Sequence, residues 1–315
     1  MTPRYPMPSY PNGWFALAFS DELPEGAVVT RRFLGEDVVL FRTASGAVAA
    51  MDATCPHMGA HLGGGRVDGE TIRCPFHGFC FDAKGACVST PYGKRLPPRA
   101  QAKTIEVDEV NGVVLAWHDL AGRPPSFRIP KVAREGWTHL RHHTMTLRTH
   151  VQETAENGVD LGHFGEVHKY RNVRFTKDPA IDGPVLRASY AAARPLEGSE
   201  IDFEFDVAIW GLGYSIVEVD VKTFGIRTCQ LVCACPIDEE TIALRVATQM
   251  QKLPDEAITE GLFGTIFDGF LQDVGQDAPI WERKKYLELP ALAEGDGPIG
   301  TYRKWARQFY SRGDA

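Results

Sequence analysis

Short apolar runs separated by turn-forming residues dominate the first third of the chain. The apolar runs include residues 27–29, 38–41 and 113–117, and the turn pairs are Ser45-Gly46, Asp68-Gly69 and Asn111-Gly112. The Asn111-Gly112 pair lies between two apolar segments, 107–110 and 113–117. Asn-Gly favours the two-residue turn of a β-hairpin because both residues accept positive φ. This pattern predicts an all-β module.

A different pattern follows residues 121–130, where three prolines and a glycine indicate a linker. Beyond it we expect a strand, a helical segment, several long strands, a long amphipathic helix and a short terminal helix, at residues 139–150, 151–164, 185–252, 255–281 and 300–310 in turn. Strands followed by segregated helices favour an α+β domain on an antiparallel sheet. The predicted organisation is a β domain at residues 12–120, the linker 121–130 and an α+β domain at 131–315.

Composition narrows the classes of protein. With 315 residues, of which 43% are hydrophobic and 24% charged, the chain is typical of a globular protein of about two domains. The net charge of −7 and the lack of any Lys/Arg run in the sequence disfavour a nucleic-acid partner. No stretch approaches the roughly 20 apolar residues that span a bilayer, and the N-terminus lacks the apolar core of a signal peptide. We therefore expect a cytoplasmic protein without a membrane span.

Four residues in the β module have the spacing of an iron–sulfur site. Cys55 and His57 form C-x-H, and after sixteen intervening residues Cys74 and His77 form C-x-x-H. A Rieske [2Fe–2S] cluster is bound by two thiolates on one iron and two imidazoles on the other, so each loop supplies one cysteine and one histidine. Glycines that follow each pair allow the backbone to approach the cluster closely. These four residues are the predicted cluster ligands.

A zinc site is the alternative for these four residues. Zinc sites favour C-x2–4-C together with H-x3–5-H, and neither pair here has that form.

The positions of the other cysteines favour a packing role over metal binding. Cys80 and Cys87 are expected to be small buried hydrophobes, and Cys229, Cys233 and Cys235 share the parity of one strand face.

A second candidate metal site lies in the predicted helical segment. Asp160, His163 and His168 form D-x2-H-x4-H. Non-heme Fe(II) oxygenases bind iron through two histidines and one carboxylate and leave positions open for O2. Asp160 and His163 share a helix face, but His163 and His168 would lie about 140° apart on an ideal helix. The helix must therefore end or distort between the two histidines, which the glycines Gly162 and Gly165 favour.

The third ligand must come from elsewhere, and the long predicted helix offers three aspartates. Its apolar stripe consists of Phe263, Ile266, Phe267, Phe270, Val274 and Trp281. At about 100° per residue, Asp277 falls near the middle of this stripe, Asp273 at its edge and Asp268 on the opposite face. An inward-facing carboxylate is costly unless it is paired or bound to a metal. Asp277 is the predicted ligand. Asp273 is the alternative because Gly275 and Pro279 would bend the helix, and a buried salt bridge is the alternative to a metal.

The two motifs in one chain resemble those of Rieske oxygenase α subunits. Further similarity to 3-ketosteroid 9α-hydroxylase oxygenase components and cholesterol 7-desaturases is found at residues 12–15, 55–62, 276–286 and 294–310. The resemblance therefore spans nearly the whole chain. Ala60 and Phe76 stand where respiratory Rieske proteins have disulfide-bonded cysteines, so the chain is similar to the oxygenase type of lower potential. One departure is Phe79, where many relatives have tryptophan.

This resemblance implies a helix-grip catalytic domain after an N-terminal Rieske domain. It implies that His163 and His168 bind a mononuclear Fe(II). Asp160 would pass electrons from the cluster of a neighbouring subunit, and Asn157 matches the monooxygenase-like branch. The resemblance further implies a homotrimer, O2 as co-substrate, a hydrophobic steroid-like substrate that is hydroxylated or desaturated, and electrons from a ferredoxin or a flavin- and iron–sulfur-containing reductase.

Two other functions fit the same motifs. A Rieske oxygenase that acts on an aromatic acid or an N- or O-methyl substrate would show a charged residue in the substrate pocket. A Rieske electron carrier without oxygenase activity would contain no iron beyond the cluster.

Overall fold

The structure is a computed structural model, and it describes residues 4–93, 95–196 and 198–310. The strands of the N-terminal part are β1 (Gly13–Phe19), β2 (Val28–Phe33), β3 (Glu36–Arg42), β4 (Val48–Asp52), β5 (Arg66–Asp68), β6 (Thr71–Arg73), β7 (Cys80–Asp82), β8 (Cys87–Ser89), β9 (Thr104–Ile105), β10 (Val107–Val110) and β11 (Val113–His118). The later strands are β12 (Arg141–Leu147), β13 (Arg171–Asp182), β14 (Val185–Leu196), β15 (Ser199–Trp210), β16 (Tyr214–Val221), β17 (Ile226–Pro236) and β18 (Ile242–Met250). The α-helices are α1 (Val151–Glu156), α2 (Gly162–Glu166), α3 (Glu256–Arg283) and α4 (Ile299–Ala306).

Three small antiparallel sheets form the N-terminal part, as the apolar pattern predicted. Their strand orders are β1-β11-β10, β2-β3-β4-β9 and β5-β6-β7-β8. The predicted hairpin turn is confirmed between β10 and β11, where Asn111 has φ 54° and Gly112 has φ 79°. Residues 119–140, which include the predicted linker, form neither a helix nor a multi-residue strand.

A seven-stranded antiparallel sheet of order β12-β18-β17-β16-β15-β14-β13 forms the C-terminal part. The prediction of an α+β fold with a helix on such a sheet is confirmed. The start of the long strands was predicted wrongly, because β13 was not expected. None of the residues of this edge strand is fully buried. Val173 and Phe175 pack partly buried against the core, and their alternation is shorter than the about four to eight residues that indicate a strand.

The helical segment predicted at residues 151–164 consists of two short helices. Helix α1 ends at Glu156 and α2 begins at Gly162. The strand predicted up to His150 is also shorter, since β12 ends at Leu147. His150 is buried and serves as the N-cap of α1, where its Nδ1 accepts a hydrogen bond from the backbone of Gln152 at 3.1 Å. The prediction that His150 lies in the strand was therefore wrong.

Helix α3 matches its prediction closely. Asp255 caps its first turn by accepting a hydrogen bond from Ile258 N at 2.9 Å, and the helix runs through Pro279 to Arg283. None of the helices in the described ranges is long and apolar enough to cross a membrane.

Strand β1 holds the two parts of the chain together. Arg245 on β18 donates a 2.8 Å hydrogen bond to the carbonyl of Ala16. Gly213 lies so close to β1 that a Cβ there would come within 2.3 Å of the Trp14 carbonyl oxygen. Trp14 is itself fully buried and packs with Leu231 and Cys233 of β17 in one core cluster. This cluster covers one face of the seven-stranded sheet and leaves the other face for the cavity described next.

Candidate metal centres and cavity

The predicted cluster ligands lie on two loops. Cys55 and His57 follow β4, and Cys74 and His77 lie between β6 and β7. The ring centroids of His57 and His77 are 4.7 Å apart, and the thiols of Cys55 and Cys74 lie close enough to influence each other. Burial, with a contribution from the neighbouring thiol, raises the pKa of Cys55 to about 11. The two loops thus present a pair of thiols beside a pair of imidazoles.

The same backbone turn shapes both loops. The carbonyl of Cys55 accepts a hydrogen bond from Gly59 N at 2.9 Å, and that of Cys74 accepts one from Gly78 N at 3.1 Å. Gly59 has φ 77° and Gly78 has φ 67°, values that favour glycine. The two loops therefore use the same turn, although the histidine follows the cysteine by two residues in one loop and by three in the other.

Aromatic side chains surround the two imidazoles. Phe79 stacks on His57 with ring centroids 4.1 Å apart. Met58 and Phe76 flank the two histidines on the outside and are exposed, at 67% and 63%. The loop tips therefore combine buried thiols with an apolar outer surface.

The second set of predicted ligands comes together between α2 and α3. One ligand atom from each of His163, His168 and Asp277 lies within 4.8 Å of the others. His168 Nε2 is 3.4 Å from Asp277 Oδ2, and the two imidazole rings are 5.1 Å apart. Helix α2 ends at Glu166, before His168. The predicted break between the histidines is thus present, and it brings together two rings that a continuous helix would separate.

Hydrogen bonds from outside this set orient His168 and Asp277. His168 Nδ1 is 2.9 Å from Gln276 Oε1, so a proton on Nδ1 leaves the Nε2 lone pair facing Asp277. Burial lowers the pKa of His168, but its hydrogen bonds to Asp277 and Gln276 outweigh burial and the net shift is upward. Asn157 Nδ2 donates to Asp277 Oδ2 at 2.9 Å, and Trp281 Nε1 donates to Asn157 Oδ1 at 3.3 Å.

The alternative ligand Asp273 has another partner. Its Oδ1 accepts a 2.7 Å hydrogen bond from Arg194 Nη2 and lies 4.0 Å from His168 Nδ1. Arg194 also donates to the backbone carbonyl of His168 at 3.1 Å. Asp268 is exposed on the far side of α3, as predicted. Asp277 is therefore the aspartate that the structure places against both histidines.

Asp160 lies beside the histidine pair rather than within it. Its Oδ1 is 3.7 Å from His163 Nδ1 and accepts a hydrogen bond from His163 N at 3.4 Å. Burial raises the pKa of Asp160, but the attraction of His163 outweighs burial and the net pKa is lowered. The Asp160 side chain is 35% exposed, so the carboxylate connects His163 to the protein surface.

A cavity of about 140 Å³ adjoins the three residues. Its walls are mostly aromatic and aliphatic, with Phe164, Tyr170, Tyr190, Phe205, Val207, Val217, Val232, Phe270, Val274 and Trp281 among them. Among the described residues that line it, none is a lysine or an arginine. The cavity therefore suits a neutral, mainly apolar ligand next to the histidines.

Two family models cover the chain. Residues 13–106 match the Rieske [2Fe-2S] domain, and residues 116–310 match the 3-ketosteroid 9α-hydroxylase C-terminal domain. The chain belongs to this family of Rieske oxygenases. It is accordingly an oxidoreductase that uses a [2Fe–2S] cluster and a mononuclear iron.

Relatives of this Rieske oxygenase align over nearly its whole length. A 3-ketosteroid-9-alpha-monooxygenase oxygenase component of Rhodococcus rhodochrous is 29% identical over 96% of this chain and 81% of that protein. A cholesterol 7-desaturase of Hemicentrotus pulcherrimus is 32% identical over 96% of this chain and 70% of that protein.

Solved structures share the fold. Dicamba monooxygenase bound to dicamba has a TM-score of 0.78 and 20% identity, over 95% of this chain and 97% of that chain. NdmA of Pseudomonas putida CBB5 with caffeine has a TM-score of 0.73 and 19% identity, over 93% and 89%. At these identities the likeness concerns the architecture alone.

The side chains of this Rieske oxygenase fit both metal groups. His57 Nδ1 is buried and has no hydrogen-bond partner among the residues described. A buried ring nitrogen without a partner is costly, and coordination to iron would satisfy it. The donor sets, two thiols with two imidazoles and two imidazoles with one carboxylate, are those that a Rieske cluster and a non-heme Fe(II) require.

Sequence reasoning missed the residues that orient the iron ligands. Gln276 and Arg194 act on His168 from 108 and 26 residues away. The sequence indicates the role of Gln276 only weakly, since Gln276 is a polar residue next to the inward-facing Asp277 on the predicted helix. Nothing in the sequence indicates the role of Arg194.

Proposed function

We propose that this chain is the terminal oxygenase of a multicomponent system that hydroxylates or desaturates a steroid-like substrate. The observation that carries the proposal is the approach of His163, His168 and Asp277 beside an apolar cavity, in a chain whose other part has two cluster loops. When bound, the cluster supplies single electrons and the mononuclear iron activates O2.

The roles of the side chains follow from their positions. Cys55, His57, Cys74 and His77 hold the cluster. His163, His168 and Asp277 hold the mononuclear iron, with Gln276 and Asn157 keeping His168 and Asp277 oriented. Two histidines and one aspartate would leave coordination positions of a bound iron free for O2.

Asp160 is proposed as the bridge for electrons between subunits. It is partly exposed and lies against His163, so an imidazole from another molecule can reach it. The exposed Met58 and Phe76 next to the cluster histidines form an apolar surface that a second copy would cover. The resemblance to Rieske oxygenase α subunits supports a homotrimer as the assembly.

The substrate class is proposed from the cavity. An aromatic acid needs a cationic partner for its carboxylate, and no lysine or arginine lines the cavity within the described ranges. The relatives named as 3-ketosteroid monooxygenase and cholesterol 7-desaturase support a steroid or sterol. Because pockets for such ligands measure roughly 300–1,000 Å³, side chains such as Phe270 must move on binding.

The proposed electron donor is a ferredoxin or a flavin- and iron–sulfur-containing reductase. None of the seven cysteines forms a disulfide, which agrees with a reducing compartment such as the cytoplasm.

The domain boundaries that we propose are 12–120 and 131–315, joined by the linker 121–130.

The test is turnover of the purified protein with a reductase, NADH and a panel of steroids. We expect products one oxygen heavier or two hydrogens lighter than the substrate. Turnover of an aromatic acid without turnover of any steroid would overturn the substrate class and leave the iron chemistry in place.

A further inference from the structure

Two polar residues lie together on the sheet side of the cavity. Ser215 on β16 and Gln230 on β17 both line it. Ser215 pairs across the strands with Val232, and Gln230 pairs with Val217. The two polar residues are therefore diagonal neighbours on one face of adjacent strands, roughly 7–8 Å apart, a separation that long side chains bridge.

Neither side chain is satisfied by the protein. Within the part of the chain that the structure describes, the Ser215 hydroxyl and the Gln230 amide make no hydrogen bond. Two other polar side chains in the lining have partners: the Thr154 hydroxyl donates to Val151 O at 2.9 Å, and both ends of the Asn157 amide are bonded. Ser215 is buried and Gln230 is half-buried, and both line the cavity, so their polar atoms are open to a ligand there.

We propose that Ser215 and Gln230 bind one neutral oxygen substituent of the substrate, a carbonyl or a hydroxyl group. The inference rests on the proposed oxygenase function and deepens it. The serine hydroxyl and the glutamine NH2 both donate to the two lone pairs of a carbonyl oxygen, and the glutamine Oε1 accepts from a hydroxyl. Neither residue is charged, so the pair does not favour a carboxylate.

The surroundings of the pair indicate that the rest of the ligand is apolar. Val217 and Val232 complete the face on β16 and β17, and Val207 continues it on β15. The predicted iron ligands line the cavity from outside the sheet, with His163 on α2, His168 just after α2 and Asp277 on α3. A substrate held by its oxygen at the sheet is therefore fixed in orientation, and the pair determines which of its carbons faces His163 and His168.

The experiment measures equilibrium binding of two probes to the metal-loaded protein. One probe is a 3-keto-4-ene steroid, and the other is the same steroid with CH2 in place of the carbonyl. Gln230→Leu keeps the volume and removes the amide. We expect it to weaken binding of the keto probe about tenfold and to change binding of the deoxy probe less than about twofold. Ser215→Ala should act in the same direction.

Tyr190→Phe is the matched control. It removes another hydroxyl that lines the cavity but lies on β14, two strands from β16, and it should change the affinities of both probes by the same factor. Equal effects of Gln230→Leu on both probes, or discrimination by Tyr190→Phe in its place, would overturn the inference while the steroid class stands. Wild-type protein that binds neither probe would overturn the proposed substrate class and this inference with it.

Discussion

The side-chain amide of Asn157 donates a 2.9 Å hydrogen bond to Asp277 Oδ2 and thereby connects the end of α1 to α3. The indole of Trp281 donates to the other end of the same amide at 3.3 Å. The Asn157 amide therefore accepts a hydrogen bond from Trp281 and donates one to Asp277. Such outer contacts fix the direction in which a metal ligand presents its oxygen.

We predict that Asn157→Ala weakens binding of the mononuclear iron by about 10–100-fold, because Asp277 loses its fixed orientation. Iron retention against a chelator measures this. Trp281→Phe keeps the aromatic packing and removes only the outer hydrogen bond, so its effect should be smaller. Unchanged iron retention in Asn157→Ala would show that the contact does not position the ligand.

Gln276→Leu should also weaken iron binding, by a similar factor of about 10–100. The reason is that Gln276 Oε1 holds the Nδ1 proton of His168, and without it the ring is free to rotate or to change tautomer. Gln272→Leu is the control, because Gln272 lies one turn earlier on α3 and is exposed. Equal iron affinity in the two variants would contradict this role.

Much of the candidate site could be predicted because its signals are local. The cluster ligands sit in two short loops, and Cys55 with His57 or Cys74 with His77 is recognisable within a few residues. Asp277 could be selected from three aspartates because helical periodicity alone distinguishes an inward from an outward carboxylate. The structure buries Asp277, leaves Asp273 half-buried and exposes Asp268.

The rest depends on contacts that no local pattern records. The edge strand β13 contains no fully buried residue, and the short alternation of Val173 and Phe175 is only a weak signal of a strand. Residues 157–161 separate α1 from α2, and they contain no proline that would have marked the end of a helix. The bonds from Arg194 to Asp273 and from Gln276 to His168 join residues far apart in the chain, and only the folded sheet and helix bring them together.

Asp160→Asn should abolish turnover while both metal centres still load. Asp160 lies 3.7 Å from His163 Nδ1 and outside the group of three ligand atoms, so its carboxylate is not needed to hold iron. Metal analysis and product formation are measured on the same sample, with the exposed Asp268→Asn as control. Loss of the mononuclear iron in Asp160→Asn would make Asp160 a ligand instead.

Stability should fall on acidification because of His150. Burial lowers the pKa of His150 from 6.5 to about 4, against a weaker opposing effect of its hydrogen bond to the Pro8 carbonyl. The rings of Tyr5 and Tyr310 pack beside it and stay neutral in this range. Between these two pH values, His150 therefore binds a proton in the unfolded chain but not in the folded chain. The contribution of His150 to the free energy of unfolding is fully present above pH 6.5 and decreases as the pH falls towards 4, by up to about 3 kcal/mol.

Chemical denaturation between pH 7 and pH 4 tests this sign. His150→Asn keeps a side chain that caps α1 and removes the titrating group, so its unfolding free energy should depend less on pH than that of the wild type. The same pH slope in both proteins would exclude His150 as the cause.

The iron and acid-labile sulfide content of the purified protein tests the central claim most directly. A Rieske cluster together with a mononuclear iron predicts three irons and two sulfides per chain, and His168→Ala should retain two irons and two sulfides. Two irons per wild-type chain, unchanged in His168→Ala after reconstitution with Fe(II), would contradict the account and make the protein a Rieske electron carrier.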